Sequence, residues 1–452
     1  MKAGEPKKKI TIVGCGIAGG YLAIMLANRG YTVEIFEQLS KKAICDSNSK
    51  RSYNITLLAY GIEMLKRAKI WEIVKPHLLP LQGSSTQLSK DSKPIISPVY
   101  NKKKQYYAVS RSTLLDIMLE QIKNDPLITI HYETALLSID RHERTIIVQN
   151  TKTQKIKTLP CDVIIGADGA NSLVRSFMQQ GQHTHHTQEY ATGGYKQFTI
   201  TKKQVDQLNL KSDIAYTWSA DKKFILAFPN FDGSLASLLI FPKDRKEFVS
   251  LQSASSITKL IRNDFPLLQP IENEIAEQLL QNPDGTFVTI HTDPWYYKDF
   301  ITVIGDAAHG FYPFFGQGTS AAFGDCLALC NLLDSNGDKW GKIFPRYQEA
   351  RKRHMDSLGE LSKKALMRYQ RNKRADYDSI YDKLEHVAHS LSPKRIQPPV
   401  FIPVMEDPKN TDDYVIRAHK QRALAKWFGI PLAVTVLTGI VALYERLPKG
   451  KN

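Results

Sequence analysis

The feature that most constrains the fold lies near the N-terminus, in the stretch ITIVGCGIAGGYLAIMLANRGYTVEIFEQ. Gly14, Gly16 and Gly19 follow a short apolar strand pattern and open a helical pattern, and a second strand pattern ends at Glu37. This order predicts a βαβ unit that binds a dinucleotide. In such a unit the glycines allow a tight turn, a close approach of the pyrophosphate and close packing of helix against strand.

The position of Glu37 limits which dinucleotide fits. Its carboxylate, 23 residues after Gly14, would accept hydrogen bonds from ribose hydroxyls and would repel a 2′-phosphate. The unit therefore favours FAD or NAD over NADP, and at this point both remain open. The alternative interpretation is a glycine turn in an α/β domain that holds no ligand.

Two later apolar runs also end in an acidic residue. Residues 161–168 end in Gly-Ala-Asp at Asp168, and residues 299–305 are followed directly by Asp306. Such runs are typical of buried parallel strands, whose C-terminal ends carry binding residues. A second glycine turn, Gly316-Gln317-Gly318, opens another helical pattern, so its free backbone N–H groups would face a ligand.

The rest of the chain predicts an α/β protein that contains a second sheet. Residues 190–245 show strand patterns spaced as hairpins, with Asp232-Gly233 as a turn. Residues 57–76, 110–124 and 340–392 look helical. We therefore expect a Rossmann-like nucleotide-binding domain interrupted by a mostly antiparallel sheet and followed by C-terminal helices and a hydrophobic tail. The histidine-rich residues 182–188 favour a polar loop over a metal site, and we expect no metal.

The three motifs, in this order, resemble those of the single-component FAD-dependent aromatic hydroxylases of the p-hydroxybenzoate hydroxylase fold. Within that family the likeness is closest to the kynurenine 3-monooxygenases, over residues 51–65, 109–119, 193–200, 224–242 and 313–326. The resemblance implies an enzyme that uses FAD, NADPH or NADH, and molecular oxygen to hydroxylate an aromatic small molecule through a flavin C4a-hydroperoxide. A C-terminal membrane segment is also a property of the eukaryotic kynurenine 3-monooxygenases. A flavin-dependent NAD(P)H oxidase or reductase of the same fold and a non-enzymatic membrane-tethered binding protein are the alternatives.

The resemblance also assigns residues to the site. Asp306 would bind the ribityl chain of FAD, and Arg111 its phosphoribityl region. His309 is either a proton relay or a structural histidine. The implied FAD-binding residues are Gly14, Gly16, Ala18, Gly19, Glu37, Arg111, Asp168, Asp306, Gly316, Gly318, Thr319 and Ser320. The implied catalytic residues are Pro313, Phe315, Gly316, Gln317 and Gly318, and the implied substrate-binding residues are Tyr100, Phe228 and Phe315.

The likeness to kynurenine 3-monooxygenases fails where those enzymes bind the substrate carboxylate. Their arginine falls at Ser84, their later asparagine near Ala365 and their later tyrosine near Met405. Thr319-Ser320 replaces a Met-Asn pair, and Gly324 replaces a glutamate. We therefore expect an altered substrate, with Lys196 or Lys102 as another cation for an acidic ligand.

These patterns divide the chain into domains. The FAD-binding domain would comprise residues 1–76, 109–185 and 298–340, and the substrate domain residues 77–108 and 186–297. A helical region at 341–426 and a membrane anchor at 427–452 would follow.

Composition bears on partners and location. Lys and Arg exceed Asp and Glu by 16, which suggests an anionic partner or only a solvated surface. No nucleic-acid-binding motif accompanies this charge, and we expect no nucleic-acid partner. The five cysteines contain no CxxC pair, which favours a reducing compartment.

The C-terminal segment suggests a membrane anchor. Residues 427–444 carry no charge over 18 residues, and a helix of that length measures about 27 Å, near the thickness of a bilayer core. Trp427 and Tyr444 lie at its ends, as interfacial aromatic residues do. We expect this segment to span a membrane with the enzyme body on the cytoplasmic side; a buried C-terminal helix is the alternative.

Overall fold

The computed structural model describes residues 7–50, 54–98, 106–181, 183–242, 251–370, 385, 388–393 and 396–424. The strands are β1 Ile10–Val13, β2 Val33–Phe36, β3 Ile55–Leu57, β4 Leu79–Leu81, β5 Gly83–Gln87, β6 Ile95–Pro98, β7 Tyr106–Val109, β8 Ile128–His131, β9 Thr134–Asp140, β10 Thr145–Asn150, β11 Ile156–Pro160, β12 Val163–Gly166, β13 His185–Ile200, β14 Ile214–Ala220, β15 Lys223–Pro229, β16 Leu235–Pro242, β17 Gly285–Asp293, β18 Tyr296–Tyr297 and β19 Ile301–Val303.

The helices alternate with these strands. They are α1 Ile17–Ala27, α2 Lys41–Lys50, α3 Ala59–Arg67, α4 Trp71–Val74, α5 Arg111–Lys123, α6 Leu173–Gln179, α7 Lys202–Gln207, α8 Ala254–Asp264, α9 Glu272–Gln281, α10 Asp306–His309, α11 Gly318–Asn336, α12 Trp340–Gln370, α13 Phe401–Glu406 and α14 Thr411–Leu424. Short 3₁₀ segments lie at Lys75–His77, Pro266–Ile271, Pro313–Phe315 and Pro408–Asn410.

The first large sheet has the strand order β18-β19-β12-β1-β2-β8. Its strands are parallel except for β18, which runs antiparallel to β19. Strands β1 and β12 are buried along their whole length, as expected of parallel strands covered on both faces. The predicted βαβ unit is β1, α1 and β2.

The second large sheet has the strand order β17-β13-β16-β15-β14-β5-β6. Its pairings are antiparallel, apart from the parallel pairing of β5 with β14. The predicted Asp232-Gly233 turn joins β15 to β16, and Gly233 has a φ of 82°. The predicted mixed α/β fold is thereby confirmed, whereas the domain boundaries stay a prediction.

One sequence prediction needs correction in this sheet. His185 and His186, placed in a polar loop from the sequence, begin β13 and pair with Asp293 and Thr292 of β17. These histidines extend a long strand whose later part is apolar. The polar residues of the tract itself gave no sign of this sheet pairing in the sequence.

The predicted membrane anchor is not upheld. Within the described residues, no helix combines the length and the apolar composition that crossing a membrane needs. The segment 427–444 itself lies outside the described residues. This finding overturns the membrane location that was predicted from that segment.

Candidate active site

The three predicted motifs meet at one edge of the first sheet, on the ends of four strands. The register pairs Val13 with Phe36 and with Gly166, and Gly166 with Val303. The C-terminal ends of β2, β1, β12 and β19 therefore lie side by side. In open α/β sheets this edge is where ligands bind.

The turn between β1 and α1 has the geometry of a phosphate-binding loop. Gly14 has a φ of 98°, and a Cβ there would lie 2.6 Å from the carbonyl oxygen of Ala167. A Cβ on Gly19 would lie 2.1 Å from the carbonyl oxygen of Gly14, so α1 packs directly on the turn. A Cβ on Gly16 would meet no atom within 4 Å. Two glycines thus serve close packing, and the third leaves open space at the helix N-terminus, where a pyrophosphate fits.

The carboxylate of Glu37 lies against the same turn. Its Oε2 accepts the Cys15 backbone N–H at 2.8 Å, and its Oε1 accepts the Leu39 N–H at 2.9 Å. Glu37 is only 9% exposed, so these two bonds fix the carboxylate at the end of β2. It keeps acceptor capacity for a ribose hydroxyl, since each carboxylate oxygen has two lone pairs.

Asp168 begins the turn that leads into α6. Its carboxylate accepts the Ser172 hydroxyl at 2.5 Å and the Val174 N–H at 3.1 Å, and burial raises its pKa. Arg175 on α6 is buried and donates to the carbonyl oxygen of Ala307 at 2.9 Å. This bond ties the Asp168 motif to the chain immediately after Asp306.

Gly305 is the point where the N-terminal and C-terminal motifs meet. A Cβ at this residue, whose φ is 58°, would lie 3.4 Å from both Ala18 on α1 and Ala322 on α11. Asp306 follows directly; it is exposed, although residues 301–305 and 307–310 are buried. Its carboxylate makes no hydrogen bond or ion pair within the described part of the chain, so it is available to a ligand.

A buried ionic network, which the sequence reasoning missed, fixes Gly305. The carboxylate of Asp325 accepts the Gly305 N–H at 3.0 Å and the Arg351 Nε–H at 2.8 Å, and it contacts His309 Nε2 at 2.5 Å. Burial alone would raise the pKa of Asp325, but His309 and Arg351 outweigh it and lower the pKa. His309 is 2% exposed, and its place in this network favours the structural alternative for that residue.

The second glycine turn leads into α11, a helix of 19 residues that is buried along much of its length. Gly316 has a φ of 63°, and a Cβ on Gly318 would meet no atom within 4 Å. Gln317 is fully buried and donates from Nε2 to the Met405 carbonyl oxygen at 2.6 Å, while its Oε1 has no partner in the described structure. The Ser320 hydroxyl is likewise buried and unpaired. Open space and unpaired polar groups at a helix N-terminus fit a polar ring edge.

An aromatic cluster lies between this turn and the second sheet. Phe314 packs against Phe224 and Phe287, with ring centroids 6.0 and 5.5 Å apart. Phe228 is half-buried and packs in the same cluster. Phe315, by contrast, packs against the core around the first sheet. The segment Pro313–Phe315 therefore joins the two sheets beside the helix N-terminus.

The remaining predicted residues are placed as follows. Arg111 is the first residue of α5, is exposed and has no described ion-pair partner. Thr319 lies in the first turn of α11. Tyr100 and Lys102 lie outside the described residues.

The proposal of Lys196 as a substrate cation is wrong. Its ammonium group donates to the carbonyl oxygens of Leu279 and Asn282 at 2.5 and 3.1 Å and pairs with Asp284 at 3.3 Å. These groups lie at the C-terminal end of α9, where cations are favoured. Lys196 is therefore occupied on the side of the sheet that faces the helices.

The departures from the kynurenine 3-monooxygenase pattern also have structural positions. Ser84 lies on β5, and Ala365 on α12. A Cβ on Gly324 would lie 2.8 Å from the Tyr60 hydroxyl and 2.9 Å from Arg351. A glutamate at position 324 would therefore require Arg351 and Tyr60 to move.

Comparison with known proteins identifies the family. Residues 7–360 match a family model described as an FAD binding domain. The chain belongs to this FAD-binding family. Among its relatives, a kynurenine 3-monooxygenase of Salinispora tropica is 29% identical over 97% of each chain. The same enzyme of Legionella pneumophila is 31% identical over 78% of this chain and 79% of its own.

Solved structures of other proteins share the fold. A 2-methyl-3-hydroxypyridine-5-carboxylic acid oxygenase has a TM-score of 0.67 at 19% identity, covering 82% of this chain and 94% of its own. A tetracycline destructase has a TM-score of 0.63 at 18% identity, covering 90% of this chain and 97% of its own. The predicted enzyme class is confirmed by the relatives: the chain is an FAD-dependent aromatic monooxygenase that uses NADPH or NADH and molecular oxygen.

Proposed function

We propose that FAD binds along the edge formed by β2, β1, β12 and β19. The N-terminus of α1 at Gly16 would take the pyrophosphate, Glu37 the adenosine ribose, and Asp306 the ribityl hydroxyls. The observation that carries this proposal is the packing of Gly305 against Ala18 and Ala322. That packing supports a continuous site, because it brings the two glycine turns and Asp306 against one another.

The flavin ring would lie at the N-terminus of α11. Bound FAD supplies the redox and oxygen chemistry. The chain supplies the free N–H groups of Gly318 and Thr319, which favour negative charge at the ring edge. Arg111 adds a positive charge near the cofactor. We assign no metal to this site.

The aromatic substrate would lie between the second sheet and the segment Pro313–Phe315. Phe228 and Phe314 offer apolar surface there, which would help to exclude water from the reacting ring. Tyr100 stays a predicted substrate residue. The substrate class we propose is a small aromatic compound with an electron-rich ring, similar in size to kynurenine.

The experiment that tests this function combines reduction kinetics with product analysis. The purified, FAD-loaded enzyme is mixed with NADPH and a panel of aromatic compounds, kynurenine included. A substrate is expected to accelerate flavin reduction and to yield a product that gains one oxygen atom. Hydrogen peroxide as the sole product would instead indicate an oxidase, and a Gly16→Val variant that retains FAD would refute the proposed cofactor site.

A further inference from the structure

The second large sheet has two distinct faces, and only one faces the proposed site. Phe224, Leu226 and Ile240 pack with Tyr312 and Phe314, next to the second glycine turn. We call this the inner face. The intervening residues of the same strands, such as Ile225 and Leu239, pack with the helices α8 and α9 on the outer face.

The strand register shows which residues of neighbouring strands belong to the inner face. Gln197 pairs with Leu238, Leu238 with Leu226, and Leu226 with Thr217. Thr217 in turn pairs with Thr86 of β5. Because directly paired residues share a face and alternate residues return to it, Ser84 also lies on the inner face.

The inner face carries no charged side chain in the described strands β5, β6 and β14–β16 or at residues 195–199 of β13. The two lysines within these stretches are on the outer face. Lys196 pairs with Asp284, and Lys223 pairs with Asp264. A substrate carboxylate placed against these strands would lose its hydration without gaining a cation, which is unfavourable. Lys363, which reaches Glu189 in the other part of β13, is already paired with Glu189 and Glu360.

The inner face does offer neutral hydrogen-bonding groups. The Gln197 side-chain nitrogen is buried and has no partner in the described structure. Thr217 and Thr86 extend the same row of paired residues. An unpaired buried donor calls for an acceptor, and a ketone oxygen on the substrate would supply one without a charge.

Building on the proposed function, we propose that the substrate is an aromatic ketone that carries no carboxylate and that Gln197 donates to its carbonyl oxygen. Ser84 and the threonines make this end of the site neutral. The enzyme therefore selects its substrate by shape and neutral hydrogen bonds rather than by an ion pair.

The test compares L-kynurenine with kynuramine, which differ only in the carboxylate. Binding to the full-length, FAD-loaded enzyme is followed by the change in the flavin absorption spectrum. Kynuramine should bind at least about tenfold more tightly, because its binding does not remove a carboxylate from water without a counter-charge. L-kynurenine binding as tightly as kynuramine, or neither compound changing the flavin spectrum, would overturn the proposal.

Two variants sharpen the assignment. Ser84→Arg should strengthen L-kynurenine binding about tenfold and leave kynuramine no tighter, whereas the neutral control Ser84→Gln should not change the preference. Gln197→Leu should weaken kynuramine binding about tenfold without lowering the thermal midpoint. Unchanged discrimination in Ser84→Arg, or unchanged kynuramine affinity in Gln197→Leu, would contradict the assignment. Product mass keeps the two proposals separate: kynuramine preference with only hydrogen peroxide formed refutes the monooxygenase function and leaves the binding inference intact.

Discussion

Replacing Asp325 with asparagine tests how strongly the buried network of Asp325, His309 and Arg351 supports the cofactor edge. By cofactor edge we mean the C-terminal ends of β2, β1, β12 and β19, where FAD is proposed to bind. Asp325 is fully buried and accepts from Arg351 at 2.8 Å and from the Gly305 N–H at 3.0 Å. Asparagine keeps the size of the side chain but removes its charge, so Arg351 stays buried without a counter-charge. Breaking a buried ion pair in this way costs about 3–5 kcal/mol. We expect the free energy of unfolding of the FAD-free protein to fall by that amount.

The same change should weaken FAD binding. Gly305 loses a charged acceptor for its N–H, and Asp306, the proposed ribityl ligand, follows it directly. A loss of about 1.4 kcal/mol in the free energy of FAD binding corresponds to about a tenfold higher Kd for FAD. Titration of the FAD-free protein with FAD, followed by flavin fluorescence, measures this directly.

A matched control separates the effect of losing a buried charge from the effect of losing an exposed one. Asp334→Asn removes the partner of Arg29 at a surface pair, where the Asp334 side chain is 52% exposed. Exposed pairs contribute about 0–1 kcal/mol, so the urea unfolding curve should barely move. If Asp325→Asn loses less than about 1 kcal/mol and binds FAD like the wild type, the reasoning is refuted.

Acidification offers an independent check on Asp325. Its folded pKa is lowered, because His309 and Arg351 outweigh the effect of burial. A carboxyl with a lowered folded pKa stabilises the fold above its unfolded pKa, and this stabilisation is lost as the pH falls through the folded pKa. The stability difference between wild type and Asp325→Asn should therefore be largest near neutral pH and shrink below about pH 4.

Four further predictions concern the two glycines of the first turn, two cysteines and Arg111. Gly16→Ala should leave the FAD-free protein stable, since its Cβ would meet open space, yet raise the Kd for FAD about tenfold. Gly19→Ala, whose Cβ would lie 2.1 Å from a carbonyl oxygen, should cost about 1–3 kcal/mol or more by calorimetry; equal stability of the two variants would contradict this. Alkylation of the native protein should label Cys45 and spare Cys15, because Cys15 is buried and burial raises its pKa to about 12; peptide mass spectrometry reads the result. Arg111→Ala should change stability by less than about 0.5 kcal/mol but weaken FAD binding, and unchanged FAD affinity would remove Arg111 from the proposed site.

The cofactor edge was predictable because its signals are local in the sequence. Gly14, Gly16 and Glu37 lie within one βαβ unit, whose spacing carries the geometry. Asp306 follows an apolar run that reads as a buried strand. Each of these inferences needs only neighbouring residues, and the register of the first sheet then brings them together.

The tertiary partners could not be predicted in the same way. Asp325 and Arg351 are separated by 26 residues, and Asp325 and Gly305 by 20. The available signal was one acidic residue inside the otherwise apolar helical stretch AAFGDCLALC, which a buried counter-charge explains. Lys196 was misplaced for a different reason: strand alternation puts it on the same face as the apolar Phe198 and Ile200, away from the site.

The strand order of the first sheet has a consequence for how the protein is synthesised. Val13 pairs with Gly166, which comes 153 residues later, and Gly166 pairs with Val303, a further 137 residues on. Contacts this distant make folding slow, since long loops must close first. On the ribosome, β1 therefore emerges long before its neighbour β12 exists, and its apolar surface needs protection meanwhile. At the proposed site, FAD would meet all of its contacts only after the chain has been translated beyond α11, so FAD binding would come late in synthesis.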